Sequence, residues 1–249
     1  MITKLPNQGF TNITYFDNEK KLFIKHKNYD SFNHKIDYFV LNNLPFAPEI
    51  IGSTKDELVT SWIEGKLILA TKITDKQLQE IAHDLITLHD SKLLFPKENQ
   101  IARRFKVYRG KIKELNRKIP ILDPHYKIIN KFLAEIDNSA PVHNDLWLAN
   151  MIQTKNKIYI TDWEYASMGD VHFDLAYFIE SSNLDQRQEQ LFLEAYGDDF
   201  EPKYLLAHKV IVNALIALWI NARPEKPFDD SLYLNRVNKY VKAYLEQYR

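Results

Sequence analysis

The sequence of 249 residues contains no cysteine. A disulfide bridge, a zinc site built on thiolates and a cysteine nucleophile are therefore all excluded. The absence of cysteine also fits a protein of the reducing cytoplasm. An excess of charge of either sign is missing as well, because 33 lysine and arginine residues balance 33 aspartate and glutamate residues. We therefore expect neither a nucleic acid nor a membrane surface as a partner.

Long hydrophobic runs are also missing. The longest apolar run, Ala214 to Ile220, is far shorter than the roughly 20 residues that span a bilayer, so it predicts a buried helix segment. Residues Met1 to Pro6 lack the apolar core of a signal peptide. We expect a cytoplasmic protein without membrane insertion, and an apolar content of 45% fits a soluble globular fold.

Three polar residues have the spacing of a phosphoryl-transfer site. Asp145 stands five residues before Asn150, and Asp162 comes at the end of the apolar run that follows. Protein kinases have this spacing in the pattern H-R-D-x-x-x-x-N, followed by D-F-G. There, one carboxylate orients the acceptor hydroxyl and takes its proton, while an amide and a second carboxylate hold Mg²⁺ on the phosphates of ATP. The spacing therefore predicts Asp145 as the catalytic base and Asn150 and Asp162 as magnesium ligands.

The residue patterns divide the chain into a strand-rich first part and a helical remainder. A hairpin is predicted over residues 10–25, a helix from Phe32 to Leu44, and two more strands at 49–52 and 57–62. The next helix has a capping-box pattern at its start, formed by Thr74 and Gln77. The other predicted helices lie at 103–118, 125–136, 171–183, 187–196, 202–222 and 230–247. This order predicts an α+β fold with two lobes.

Three motifs resemble those of the choline and ethanolamine kinases and their bacterial relatives. They are H-N-D-x-x-x-x-N from His143, I-x-D-W-E-Y-A from Ile160, and G-D-x-x-F-D-L-A from Gly169. The wider superfamily also contains aminoglycoside phosphotransferases, thiamine kinases and homoserine kinases. The resemblance is dense from Val142 to Glu180, and it implies an ATP-dependent enzyme that phosphorylates an alcohol. It also implies a bilobal, protein-kinase-like fold, with a small β-rich lobe over residues 1–63 and a large, mostly helical lobe over residues 64–249.

The resemblance implies roles for residues around these motifs. His143 and Asp174 match residues that support the catalytic loop structurally, and Glu164 would support the metal or a positioned water. Lys25, at the end of the second strand, stands where the family has a lysine or arginine that contacts the phosphates of the nucleotide.

The remaining nucleotide contacts implied by the resemblance come from two short segments. Thr11 and Asn12 match the T-N of the family's phosphate loop, although Gly9 is the only glycine there and the usual Gly-Gly is missing. Trp62 and Ile63 match the hinge segment, whose backbone would pair with adenine.

A second departure from the family concerns the partner of Lys25. Kinases pair the strand lysine with a glutamate on a helix. Family alignment places that glutamate near His34, and the nearest carboxylate, Asp37, stands about one helical turn later. Either Asp37 replaces the glutamate, or Lys25 is held in a different way.

The resemblance also implies an acceptor site for a small cationic alcohol. Glu180 matches a glutamate of the choline kinases, and Trp219 resembles the tryptophan of their C-terminal helix. Tyr177 and Tyr165 would add aromatic faces, each of which binds a quaternary ammonium group with about 0.5–2 kcal/mol. The seven carboxylates within residues 180–201 could attract the same cation or form a solvated acidic face.

Two other functions remain open at this point. The same chemistry could act on thiamine, an aminoglycoside or another amino alcohol. Alternatively, the sparse phosphate loop and the missing helix glutamate would fit an inactive kinase-like module that binds a nucleotide. The sequence carries no mark of the oligomeric state.

Overall fold

The N-terminal part of the chain forms an antiparallel sheet. The computed structural model describes residues 1–6, 13–98 and 100–248. The strands are β1 (Ile2–Lys4), β2 (Ile13–Asp17), β3 (Leu22–His26), β4 (Ile50–Ser53) and β5 (Glu57–Ser61). In this part of the chain they are arranged in the order β1-β2-β3-β5-β4. The predicted hairpin is confirmed over the described residues 13–25, and its turn is closed by hydrogen bonds from the backbone of Glu19 and Lys20 to the Asp17 carboxylate.

The segment between β3 and β4 differs from the prediction. The expected helix from Phe32 to Leu44 is wrong over its first half, because regular structure there is limited to a 3₁₀ helix, Tyr38–Asn43. The Asp30 carboxylate accepts a hydrogen bond from the backbone N–H of Phe32 at 2.8 Å, and His34 has a left-handed φ of 56°. Short polar side chains that bond to nearby backbone groups compete with helical hydrogen bonds. The apolar spacing thus indicated the buried residues Phe32 and Ile36 correctly, whereas Phe39 is exposed and the conformation is not the predicted one.

Most of the remaining chain is helical. The helices are α1 (Asp75–Asp90), α2 (Ile101–Glu114), α3 (Tyr126–Ala134), α4 (Val171–Ser181), α5 (Gln186–Tyr196), α6 (Pro202–Asn221) and α7 (Ser231–Tyr248). The predicted capping box is confirmed at the start of α1, where Thr74 and Gln77 bond to each other's backbone. The apolar face of α1 is buried against the rest of the helical part, as its spacing predicts.

Helix α6 lies at the centre of the helical part. Its length and apolar composition would allow it to cross a membrane, but 83% of its most apolar stretch of 18 residues is buried inside the protein. It packs against α2, α3, α4 and α7. The prediction that Ala214 to Ile220 belongs to a buried helix is therefore confirmed.

Short strands join the first sheet to the segment that carries the predicted catalytic residues. They are β6 (Lys66–Leu67), β7 (Ala140–Val142), β8 (Met151–Gln153), β9 (Ile158–Ile160) and β10 (Ser167–Gly169). Strand β7 pairs with β10, and β8 pairs with both β6 and β9. The predicted α+β architecture of a sheet followed by helices is confirmed, whereas the boundary between residues 63 and 64 stays a prediction.

Gly65 provides a test of how tightly the link between the two parts is packed. A Cβ atom at this position would lie 2.5 Å from the carbonyl oxygen of Gln153 and 2.6 Å from a methyl group of Ile152. Since backbone cannot rotate away as a side chain can, we expect Gly65→Ala to lower the free energy of unfolding by about 1–3 kcal/mol.

A matched control for this substitution is Gly110→Ala, because a Cβ at Gly110 in α2 meets no atom within 4 Å. We expect this variant to be more stable by about 0.5–1 kcal/mol, since alanine favours a helix interior over glycine. Urea unfolding followed by circular dichroism measures both changes. Shifts of the same sign in the two variants would contradict the tight contact at Gly65.

Candidate active site

A cleft between the N-terminal sheet and the helical part brings together the three polar residues of the catalytic motif. Asp145, Asn150 and Asp162 all line this cleft, whose volume is about 410 Å³. Asp145 follows β7, Asn150 ends a short 3₁₀ turn, and Asp162 follows β9. The Asn150 Nδ2 donates a hydrogen bond to the carbonyl oxygen of Asp145 at 3.0 Å. This hydrogen bond joins the two ends of the loop from Asp145 to Asn150. Asp162, twelve residues further on, lines the same cleft.

Asp174 holds this loop from the interior. Its carboxylate is completely buried and accepts hydrogen bonds from the backbone N–H groups of His143 at 2.7 Å and Asn144 at 2.8 Å. Asn144 has a left-handed φ of 66°, a conformation that asparagine adopts more readily than most residues. The resulting turn places Asp145 in the cleft while the preceding residues stay in the core.

The His143 side chain uses both ring nitrogens to organise the same loop. Its Nε2 donates to the carbonyl oxygen of Thr161 at 2.9 Å, and its Nδ1 accepts from the backbone N–H of Asp145 at 3.2 Å. The ring is fully buried and packs against Trp163, with the two ring centres 4.6 Å apart. A histidine with both nitrogens engaged in this way supports the loop and is not free to exchange a proton with a substrate.

Lys25 reaches the cleft from strand β3 and meets two carboxylates. Its Nζ lies 2.5 Å from Asp162 Oδ1 and 3.5 Å from Glu164 Oε2. Burial disfavours the charged ammonium, but the two carboxylates outweigh this effect and raise the pKa of Lys25. Burial likewise opposes the charge of Asp162, yet Lys25 holds the pKa of this carboxyl below its usual range. The sheet is thus connected to the catalytic segment by a buried lysine that pairs with a partly exposed Asp162 and a buried Glu164.

Asp37 does not replace the missing helix glutamate, so Lys25 is held in a different way. Asp37 is exposed, and its carboxylate caps the 3₁₀ helix by accepting a hydrogen bond from the backbone of Phe39. Glu164 is buried and lies beside Lys25, although its sequence position after Asp162 suggested a support for metal or water. The described segment before Tyr38 is not helical, so the usual helix glutamate is replaced by carboxylates that follow β9.

One end of the cleft has the apolar walls expected for an adenine site. Trp62 and Ile63 lie there, at the exit from strand β5, and the backbone N–H of Trp62 donates to the backbone carbonyl oxygen of Lys21 at 2.9 Å. The predicted phosphate-loop residues Thr11 and Asn12 lie outside the described residues. Other apolar side chains that line the cleft include Phe23, Leu41, Ile50, Leu58 and Ile152.

The other end of the cleft is aromatic. Tyr177, Tyr165 and Trp219, three of the residues predicted to contact the acceptor, line it together with Trp147. The Tyr177 hydroxyl donates a hydrogen bond to Asp145 Oδ1 at 2.6 Å. Burial and the nearby Asp162 carboxylate raise the pKa of Asp145, and the bond from Tyr177 offsets part of this rise. The aromatic wall therefore reaches the carboxylate that was predicted as the base.

Glu180 is not part of this wall, which corrects the prediction of a direct acceptor contact. The residue is 2% exposed and points between α6 and α7. Its carboxylate accepts hydrogen bonds from Asn213 at 3.0 Å and Tyr240 at 2.8 Å, and it lies within 3.5 Å of the cationic groups of Lys209 and Arg236. Buried charges are normally paired in this way, so Glu180 connects helices and does not face the cleft.

Comparison with known proteins identifies the family. Residues 38–207, well over half of the chain, match the model of the phosphotransferase enzyme family. The chain belongs to this family. The phosphotransferase is 66% identical over 241 residues to the Protein LicA homolog of Metamycoplasma hominis, with 97% of each chain covered.

Solved structures support the same fold. The phosphotransferase is similar to choline kinase LicA from Streptococcus pneumoniae, with a TM-score of 0.76, 21% identity and coverage of 99% of this chain and 94% of that chain. LicA in complex with AMP gives a TM-score of 0.74 at 21% identity, with coverage of 98% and 91%. The predicted bilobal, kinase-like fold and the family resemblance are both confirmed.

Some residues of the cleft escaped the sequence-based prediction. Phe228 and Tyr233, near the start of α7, extend the aromatic wall beyond Trp219, with neighbouring ring centres about 6 Å apart. Their only signal in the sequence is their aromatic character, which does not distinguish a cleft wall from a core. Arg104 also lines the cleft, although it belongs to a helix whose other arginine and lysine residues are exposed.

Asp174 offers a test of how the catalytic loop of this phosphotransferase is held. In Asp174→Asn the amide oxygen can accept a hydrogen bond from only one of the two backbone N–H groups. The NH₂ group of the new side chain would face the other N–H group. We expect the free energy of unfolding to fall by about 2–4 kcal/mol, because a buried donor loses its charged acceptor. Denaturant unfolding measures this change. Asp198→Asn, at an exposed position, is the matched control, and an equally small effect at both positions would contradict the role of Asp174.

Proposed function

We propose that the protein is an ATP- and Mg²⁺-dependent kinase that transfers the γ-phosphoryl group to the hydroxyl of choline or ethanolamine. The observation that carries this proposal is the geometry of Asp145, which shares a cleft with Asn150 and Asp162 and is hydrogen-bonded to Tyr177 of the aromatic wall. The similarity to LicA homologs and to the structure of a choline kinase supports the choice of acceptor.

In the proposed reaction Asp145 is the base. Its carboxylate orients the acceptor hydroxyl and receives its proton as the oxygen bonds to the γ-phosphorus, while the bond from that phosphorus to the bridging oxygen of ADP breaks. Tyr177 donates to Oδ1 of Asp145, and Oδ2, which accepts only a long hydrogen bond of 3.5 Å from Asn150 Nδ2, would receive the proton of the acceptor. The aromatic wall excludes water from this end of the cleft, which favours transfer to the alcohol over hydrolysis.

The residues proposed to hold magnesium have the right chemistry. Asp162 offers a carboxylate and Asn150 an amide oxygen, and Mg²⁺ binds hard oxygen ligands of this kind. The amide of Asn150 is oriented because its Nδ2 donates to the backbone of Asp145. When bound, the metal would neutralise charge on the phosphates. We propose that Lys25, beside Asp162, contacts these phosphates as well.

We place the nucleotide and the acceptor at opposite ends of the cleft. Adenine would bind between the apolar walls at Trp62 and Ile63, in the lobe formed by residues 1–63, and a LicA structure was solved with AMP. The cationic group of the acceptor would lie against the aromatic wall, in the lobe formed by residues 64–249. Among the described residues, the carboxylates that line the cleft are Asp145, Asp162 and Glu164, which already have roles in the proposed site, so aromatic faces would carry the recognition of the cation. A cytoplasmic location fits the use of ATP.

The proposed activity is tested by an assay of ADP release with Mg²⁺ and four acceptors in parallel: choline, ethanolamine, thiamine and an aminoglycoside. We expect turnover with choline or ethanolamine, and a loss of about 10²–10⁴-fold in kcat for Asp145→Ala, since general base catalysis contributes factors of this size. Removal of divalent cations with EDTA should abolish turnover.

The outcomes of this assay separate the alternatives. Turnover with thiamine or the aminoglycoside alone would overturn the choice of acceptor and keep the proposed chemistry. Binding of ATP without turnover with any acceptor would favour an inactive nucleotide-binding module. Full activity of Asp145→Ala would overturn the assignment of the base.

The pKa of Asp145 predicts the acidic side of the pH profile. The base must be ionised, so kcat/KM should fall as the pH drops through a pKa that lies above the ordinary aspartate value of about 3.9. Tyr177→Phe removes a hydrogen bond that favours the ionised form, so its acidic limb should move to higher pH. Tyr233→Phe, which lacks a bond to Asp145, should leave the position of the limb unchanged. A shift of the Tyr177→Phe limb to lower pH would contradict this account.

A further inference from the structure

Arg104 places a positive charge in the wall of the cleft, and no carboxylate of the described residues forms a salt bridge with it. The residue is 6% exposed, and its guanidinium lies 4.6 Å from the ring centre of Tyr165 and 5.9 Å from that of Tyr108. Its Nε donates a long hydrogen bond of 3.4 Å to the Tyr108 hydroxyl. Across the parts of the chain that the structure describes, Arg104 has no salt-bridge partner within 4.0 Å, and its two terminal nitrogens make no hydrogen bond.

Two acidic groups that share a cavity wall with this guanidinium have other partners. Glu98 lines a small cavity beside Arg104, but its side chain is 75% exposed and it pairs with Lys35 at 3.4 Å. Asp145 lines the main cleft together with Arg104, and one of its oxygens is occupied by Tyr177. An arginine stays charged in proteins, and a buried charge without a counter-ion is unfavourable. The free guanidinium therefore has the character of a site for an anion.

We propose that Arg104 binds the phosphate of the phosphorylated alcohol once transfer is complete. This inference rests on the proposed function, since it assumes that the phosphoryl group moves to an alcohol held beside Asp145. Arg104 lines the same cleft as Asp145 and Tyr177, at the aromatic end where the acceptor would lie. The planar fork of a guanidinium matches two oxygens of a phosphate. The alcohol gains a charge of about −1.5 to −2 when it is phosphorylated, and Arg104, beside Tyr165, offers a cation to meet it.

This assignment gives Arg104 opposite effects on the two small molecules. The phosphate ester would gain a charge-assisted contact from the guanidinium. The cationic alcohol carries no anionic group, so it would gain nothing and would experience a repulsive positive charge nearby. A residue that only supported the fold of the cleft would affect the binding of both molecules in the same direction.

The experiment compares the binding of phosphocholine and choline by calorimetry in the presence of ADP. We expect Arg104→Met to weaken phosphocholine binding by about tenfold or more, because hydrogen bonds to charged groups are worth that much. Choline binding should be unchanged or tighter. Arg104→Lys keeps the charge without the planar fork, so its affinity for phosphocholine should lie between those of the wild type and Arg104→Met. Arg103→Met removes an exposed arginine of the same helix and should bind both molecules as the wild type does.

Several results would overturn the proposal. Wild-type affinity of Arg104→Met for phosphocholine would overturn it directly. A parallel loss of phosphocholine and choline binding in both Arg104→Met and Arg104→Lys would show a merely structural role. If the wild type bound neither molecule, the proposed acceptor would be wrong, and inorganic phosphate with ADP would serve as the probe. Equal phosphate affinities of the wild type and Arg104→Met would then overturn the role of Arg104 itself.

Discussion

The buried carboxylate of Asp174 accepts hydrogen bonds from two successive backbone N–H groups, those of His143 and Asn144. This interaction forces the chain to turn at Asn144, whose positive φ directs the next residue, Asp145, into the cleft. The Asn144 side chain then donates to the carbonyl oxygen of Tyr165 and so ties the loop to the segment that follows Asp162. The relative positions of the proposed base and metal ligands therefore depend on one helix residue that contacts neither substrate. Removing its charge would loosen both sides of the site together.

A second constraint is the balance of charge around Lys25. In many kinases a helix glutamate holds the corresponding lysine. Here the segment before Tyr38 is shaped by side-chain bonds such as that of Asp30, and the carboxylates come from Asp162 and Glu164 of the catalytic segment itself. Both residues follow strand β9 and hold the lysine, and one of them, Asp162, is also a proposed magnesium ligand. The sheet and the catalytic segment are consequently connected by charge even though the helix contact is missing.

The sequence predicted those parts of the molecule that depend on local spacing. The motif from His143 to Asp162 indicated a single site, and periodic apolar residues located helices such as α1 and α6 closely. The prediction failed where tertiary contacts decide the outcome. The segment from Phe32 to Asp37 has helical spacing, but polar side chains bond to its backbone and replace the helix. Glu180 has the right position along α4, yet only the packing of α6 and α7 shows that it turns away from the cleft. Arg104 looks like its exposed neighbours in sequence and differs from them only in burial.

The link between the two parts of the chain has a mechanical consequence. Lys66 and Leu67 are not slack connecting residues, because they form strand β6 and pair with Gln153 and Ile152 of β8. A rotation of the N-terminal sheet over the cleft would act on β8 through these hydrogen bonds. The first residue of β8, Met151, directly follows Asn150. A movement of the sheet that closed the cleft around a nucleotide would therefore also shift Asn150, because β6 and β8 connect the two.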